Sequence, residues 1–362
     1  MGPARLLAPG PPRYATRGNS ELDGGKGKTP RHEGLMSEIQ PMDTERGVQP
    51  QFSFGRAAAA LALLAAIGLF DRWLVTFPDR EEHGWRFARI EATPVGFDAA
   101  AFGPFRLAGA WRLTSDDPRF GGISALAVDR RGLVALSDSG VLIRFAPSRR
   151  AALIGELPDG PGSNGFKINR DSEALLADPL GRGWWVAFEN RDELWLYDRR
   201  FARALRRVEL GDRGWRLNNG IEGALADGEA MLLLHEAGEH LIRVAASQAR
   251  VVRIAGAGAR LSDGVQIGSG QWLVIERRLT PLGFRNALVM LERTGDTYRL
   301  GRRFQLPLGA VDNVEAAAVE RLPGGGGRLW LMTDDNLQPP LRTLLIALDL
   351  PDSGAGERLA ED

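Results

Sequence analysis

Five short segments of this chain share one pattern, and their spacing narrows the folds open to it. Gly122-Ile123-Ser124-Ala125-Leu126 leads to Leu136-Ser137-Asp138-Ser139-Gly140, and Arg170-Asp171-Ser172-Glu173-Ala174-Leu175 leads to Val186-Ala187-Phe188-Glu189-Asn190. Asn218-Asn219-Gly220-Ile221-Glu222-Gly223 leads to Leu232-Leu233-Leu234-His235-Glu236. Leu261-Ser262-Asp263-Gly264 leads to Val274-Ile275-Glu276-Arg277, and Asn313-Val314-Glu315-Ala316-Ala317 leads to Leu331-Met332-Thr333-Asp334-Asp335-Asn336. Each copy places a small or acidic residue before a short apolar run, then a second strand ending in an acid. The anchors Ser124, Glu173, Glu222, Asp263 and Glu315 recur every roughly 40–50 residues, the period of propeller blades.

Strand, turn and strand follow one another from Phe87 onward with no helical period, so the fold expected is all-β, a β-propeller over residues 79–350. Five repeats are visible. Six blades are expected, the sixth either assembled from both ends of the domain or diverged beyond recognition. Phe105 to Leu113 alternates and reads as the domain's first strand or as a closing strand for the last blade. The innermost strand of a blade faces the central channel, so equivalent acids of successive repeats should gather at one end of it. Like charges raise one another's pKa. Such a ring therefore calls for a metal, a cationic ligand, interleaved basic side chains or access to water. The alternative is that the acids make local turns, for which Asp-Ser-Gly and Asp-Asp-Asn are suited.

Residues 1–55 are polar and rich in Gly, Pro and Arg, and read as a disordered extension. Ala57 to Phe70 is an unbroken apolar run preceded by Arg56. It is short for a spanning helix and has the length of a signal-peptide core. Residues 56–78 are therefore expected to form a hydrophobic helix, either a cleaved signal peptide or an uncleaved signal anchor. Both place the following domain in the periplasm or another extracytoplasmic space, with the membrane as a partner through this helix. Residues 351–362 form a polar tail.

Several classes of activity have no support. The chain lacks cysteine, which excludes disulfides, thiolate metal sites and a cysteine nucleophile. Its 46 basic and 46 acidic residues cancel, and no basic patch is interleaved with aromatics, so nucleic acid is not an expected partner. No Gly-x-Ser-x-Gly elbow, Walker loop or Rossmann fingerprint is present. His235 and His240 do not have the zincin spacing. A monomer is expected.

The motifs together resemble the phytase-like family described as having esterase-like activity. The resemblance runs from about Gly109 to Leu350. It is carried by Gly122-Ile123-Ser124 with Ser137-Asp138, Asp171-Ser172-Glu173 with Glu189-Asn190, and Gly220-Ile221-Glu222-Gly223 with Glu236. Ile275-Glu276-Arg277 and Asn313-Val314-Glu315 with Asp334-Asp335-Asn336 complete it. Where the family has Glu-Gly-Leu, this chain has Glu173-Ala174-Leu175 and Glu315-Ala316-Ala317, which keep the carboxylates. The resemblance implies a propeller and, by analogy with propeller phytases, Ca²⁺-assisted phosphoester hydrolysis.

The residues themselves support a related reading. Hard divalent cations such as Ca²⁺ take carboxylate oxygens. Asp138, Glu173, Glu189, Glu222, Glu276, Glu315 and Asp334 are the candidate metal ligands. Glu173, Glu222, Glu315 and Glu236 are the candidate catalytic carboxylates of a metal-assisted hydrolysis of an ester or phosphoester. Lys167, Arg170, Arg191, Arg277 and Arg285 lie in loops beside these acids and are candidates for anchoring the substrate, since guanidinium forks suit phosphate oxygens. The alternative for each is an ion pair with the adjacent acid. At the level of function, the alternative is a non-catalytic propeller that binds or scaffolds in the cell envelope.

Overall fold

The computed structural model describes residues 84–211, 220–245, 248–256, 260–309, 312–323 and 326–351. The expected helix at 56–78, the extension at 1–55 and the tail beyond Pro351 lie outside these residues. Among the described residues no helix is long and apolar enough to cross a membrane.

β1 (Arg86–Pro94) and β2 (Arg106–Ser115) open the domain. Four blades of consecutive antiparallel strands follow. The first is β3 (Ile123–Asp129), β4 (Gly132–Ser137), β5 (Val141–Phe145) and β6 (Ala151–Glu156). The second is β7 (Ser172–Ala177), β8 (Gly183–Phe188), β9 (Glu193–Asp198) and β10 (Ala204–Glu209). The third is β11 (Ile221–Asp227), β12 (Ala230–His235), β13 (His240–Ala245) and β14 (Gln248–Ala255). The fourth is β15 (Arg260–Gly268), β16 (Gln271–Thr280), β17 (Gly283–Thr294) and β18 (Thr297–Gln305). β19 (Asn313–Arg321), β20 (Gly327–Asp334) and β21 (Leu344–Asp349) form the fifth, and β2 supplies its outermost strand by pairing with β21. β1 then bridges β2 to β6, joining the outer edges of the fifth and first blades.

The inner strands touch in the cyclic order β3, β7, β11, β15, β19 and back to β3. That ring closes on five, so the sixth blade expected from the sequence is not present among the described residues. The two ends of the domain do meet, but they complete the fifth blade instead of building another.

Five apolar clusters fill the five gaps between neighbouring blades. This explains why the middle strands are apolar on both faces. Leu232 and Leu234 of β12 pack toward the fourth blade, while Met231 and Leu233 pack toward the second. A strand sandwiched between sheets has no solvent side on which to place polar residues. Leu233 is fully buried. Leu233→Ala is expected to cost about 2–5 kcal/mol, whereas Leu205→Ala on β10, 42% exposed, should stay within about 0.5 kcal/mol. Urea unfolding followed by tryptophan fluorescence checks the pair. Equal losses would mean that stability does not reside between the blades.

Candidate functional site

Every inner strand carries a register shift near its start. The shifts fall between Ile123 and Ala125, Ser172 and Ala174, Ile221 and Gly223, Leu261 and Gly264, and Val314 and Ala316. Each inserts an extra residue, and a β-bulge of this kind re-aims a side chain. The inserted positions hold Ser124, Glu173, Glu222, the Ser262-Asp263 pair and Glu315. The ladder also aligns the ends of the second strands. Ser137, Phe188, His235, Glu276 and Thr333 lie opposite the residue before the bulge. The next residues are Asp138, Glu189, Glu236, Arg277 and Asp334. The fourth blade thus contributes a cation where the others contribute acids.

Glu173, Glu222, Glu236 and Glu315, the candidate catalytic carboxylates, are all buried at this end of the channel. Arg277 reaches the centre, donating to Glu222 Oε2 at 3.0 Å and to Glu315, with Glu236 Oε1 at 3.8 Å. Arg260 also pairs with Glu236. Lys167, on a helical turn between the first two blades, bridges Asp138 at 2.8 Å and Asp171 at 2.7 Å. Oxygens of Asp171, Glu173 and Glu189 lie within 4.8 Å of one another, as do those of Glu189, Glu222 and Glu236. Gly220 makes room for this second group. Its N–H donates to Glu189 Oε1 at 3.1 Å, and a Cβ on it would stand 2.7 Å from Glu189 Cγ.

Other candidates are not brought into the cluster. Glu276 accepts from Arg303 Nε at 2.8 Å, on the outer strand of its own blade. One residue of slip turns a strand side chain to the opposite face, which is why Arg277 and not Glu276 meets the acids. Arg170 is buried and donates to the Pro161 carbonyl at 2.6 Å, so it holds a loop. Arg191 is exposed at the rim and donates to Asn169. Arg285 is exposed on the long β16–β17 arm, opposite Arg278.

Three participants escaped the sequence reading as site residues. Asp171, Arg260 and Asn313 occupy the position just before the inner strand or at its first residue. Asn313 donates to Glu315 Oε1 at 2.5 Å. Their place in the repeat was the available signal, since Asp171 and Asn313 precede a recognised anchor by two residues and Arg260 by three. Asp263 does something different. Its carboxylate takes the Ala317 N–H at 2.9 Å and is also hydrogen-bonded by the Leu126 backbone, so it crosses the axis to two other blades. Burial pushes it up to about 8.

The excess of buried acid shows in the proton affinities. Burial, with Asp171 and Glu222 nearby, pushes Glu173 well above the ordinary carboxylate range. Burial does the same to Glu222, opposed by Arg277 and reinforced by Glu189, Glu315 and Glu236. Asp334 is raised by burial and by Glu315 and Asp138. Glu315 is raised by burial against the pull of Arg277 and Asn313. Glu189 is pushed up to about 7 by burial and Asp171. For Lys167, burial disfavours the charge, but Asp138, Asp171 and Glu173 outweigh it and raise the pKa. Glu236 Oε2 and Asn313 Oδ1 are buried and accept no hydrogen bond from the described residues, and Arg277 Nε donates none.

A carboxyl whose pKa rises from 4.5 to about 7 on folding binds more protons folded than unfolded between those values. Its contribution is favourable at low pH and is lost as pH rises through that window. Glu173, Glu222 and Asp334 act in the same sense. With no metal bound, Glu189 alone is expected to cost on the order of 3 kcal/mol between about pH 5 and pH 8. Calorimetric scans in chelator should show Tm falling over that range, and a flat or rising profile would contradict the assignment.

With this geometry in place, the relationship to known proteins can be stated. The model of the Phytase-like family, described as "Esterase-like activity of phytase", matches residues 118–337. No curated protein matches the chain. Among solved structures, a gluconolactonase from Xanthomonas campestris is similar at 16% identity and a TM-score of 0.44, over 75% of this chain and 99% of that one. An aldose sugar dehydrogenase from Streptomyces coelicolor, solved with bound PQQ, is similar at 12% identity and a TM-score of 0.40, over 72% of this chain and 98% of that one. The family match spans all five bulges and the second-strand ends that carry the cluster, and the chain belongs to the Phytase-like family.

Proposed function

We propose that this protein is an exported hydrolase that cleaves an ester or phosphoester at the carboxylate end of its channel, with a divalent cation as cofactor. The observation that carries this reading is Glu236 Oε2, buried with no donor among the described residues while its carboxyl group forms a triad with Glu189 and Glu222. An orphaned buried carboxylate oxygen is costly, and a cation would satisfy it. The donors are all oxygen, which suits a hard cation such as Ca²⁺. Asp171 and Glu173 form the second triad through the shared Glu189. Bound there, the cation would polarise a carbonyl or phosphoryl oxygen and acidify water.

The chain's own groups have distinct parts. Arg277 Nε is uncommitted beside Glu222 and Glu236, and is placed to hold an anionic substrate oxygen. Glu315, itself held by Asn313, binds that guanidinium as well. Asp334 Oδ1 accepts the Asn336 N–H at 2.8 Å, and burial raises the proton affinity of this group, so Oδ2 is the oxygen on which a proton would sit. Asp334 is therefore the acid offered to the leaving oxygen. Lys167 offsets Asp138 and Asp171. Arg191 and Arg285, exposed at the rim, suit more distant anionic groups of a substrate. Export is supported by the apolar run from Ala57 to Phe70 after Arg56.

The grip of Arg277 on three carboxylates favours a second reading, a non-catalytic propeller whose cluster is structural. Turnover decides between the two. After chelation, p-nitrophenyl acetate and p-nitrophenyl phosphate are offered with Ca²⁺, Mg²⁺ or Mn²⁺. Restored hydrolysis of either is expected, and Glu236→Gln should weaken cation binding about tenfold or more by calorimetry. A retained cation without turnover would favour the structural reading. Absence of any bound cation would remove the mechanism.

A further inference from the structure

The far end of the disc carries charge of the other sign. Each inner strand begins at the carboxylate end, so the β3–β4, β7–β8 and β9–β10 turns lie at the opposite end. There a groove opens between the first two blades, walled by Trp85, Arg130, Arg131, Arg144, Arg199 and Arg200. The acids beside it are already engaged. Asp129 takes the Arg131 and Gly132 N–H groups and Arg144, at 2.6, 3.1 and 3.3 Å. Asp178 is held by Arg182 and Trp185, each at 2.8 Å. Asp198 caps the Arg200 and Ala202 N–H groups at 3.0 and 2.9 Å. Arg144 is spent on the groove itself, lying 5.6 Å from the Trp85 ring and 5.2 Å from that of Phe201. Arg130, Arg131 and Arg200 are exposed, and their side chains have no partner among the described residues.

An apolar ridge borders these cations. Trp85 is 39% exposed, Phe87 76% and Leu153 43%, and Phe87 pairs directly with Leu153 across the β1–β6 ladder. Exposed aromatics beside free arginines suit the boundary between headgroups and acyl chains.

We propose that this end of the propeller rests on anionic phospholipid, with headgroup phosphates among Arg130, Arg131 and Arg200 in the groove that Trp85 and Leu153 also line. The carboxylate site then opens away from the membrane. The proposal is independent of the reaction proposed above.

Hydrogen exchange locates the contact whatever the apolar run does. The full chain is reconstituted with vesicles of phosphatidylcholine alone, and with vesicles that also contain phosphatidylglycerol. Peptides covering residues 128–132 and 198–204 should exchange about fivefold or more slowly on the anionic vesicles, since each arginine near such a surface is worth about a fivefold preference. The difference should vanish in the Arg130→Glu, Arg131→Glu, Arg200→Glu variant and at roughly 0.5 M salt. Unchanged exchange of the core strands shows that the variant is folded. Equal exchange on both vesicles, or protection at residues 236–240 instead, overturns the proposal. Equal protection by free glycerol phosphate without vesicles also overturns it and identifies a soluble phosphate ligand.

Discussion

Asp138, Asp171, Glu173, Glu189, Glu222, Glu236, Glu315 and Asp334 converge on one end of the channel, against Lys167, Arg260 and Arg277 among the described residues. Much else in the structure follows from that imbalance. Carboxylates this close and this buried cannot all ionise, so several hold protons or share a cation. Arg277 makes the crowding tolerable on one side, binding Glu222 and Glu315 from two different blades. Removing one member of such a buried set leaves the other charge uncompensated, at a cost of about 3–5 kcal/mol. On the side nearer Glu189 and Glu236, a buried carboxylate oxygen has no donor among the described residues.

The crowding has its origin in the fold. A ring of five inner strands is narrow, and each strand is bulged at the same level, so each blade turns an inserted residue toward the same small volume. A flat ladder would have sent Glu222 to the face opposite Ile221 and back into the inter-blade packing. The bulge removes it from the ladder. Asp263 shows what happens below that level, where its carboxyl meets backbone N–H groups of β19 and β3 across the axis. The carboxylates of the cluster are therefore buried from solvent and backed by strand backbone. That burial is what makes the proton affinities rise and the ionic contacts strong.

The sequence made the repeat legible because the anchors recur with the same neighbours, and convergence followed from the period. It did not reveal how many blades close the ring, since closure depends on the contact of β19 with β3 and on β2 completing the fifth sheet. Phe105 to Leu113 had the alternation of that closing strand, but alternation does not say which edge a strand will join. The fourth blade was read one residue out of step. Glu276 ends in an acid as the other copies do, and only the pairing of Leu261 with Glu276 shows that Arg277 is the equivalent of Glu236. Asp171 and Asn313 were visible as repeat members, yet their chemistry depends on packing against Lys167 and Glu315, which no spacing encodes.

A formal charge of zero hides a strong segregation. Acids gather at one end of the disc and free guanidiniums at the other, so composition alone describes neither surface. An anionic substrate approaching bare carboxylates is repelled, and the low polarity around them lengthens the reach of that repulsion. A divalent cation is attracted by the same field. In the reaction proposed above, a cation held by these carboxylates would lower that repulsion, and Arg277 with the exposed Arg191 and Arg285 would then face the incoming anion. The same buried carboxylates that raise one another's proton affinity would, on that reading, be the groups that hold the cation.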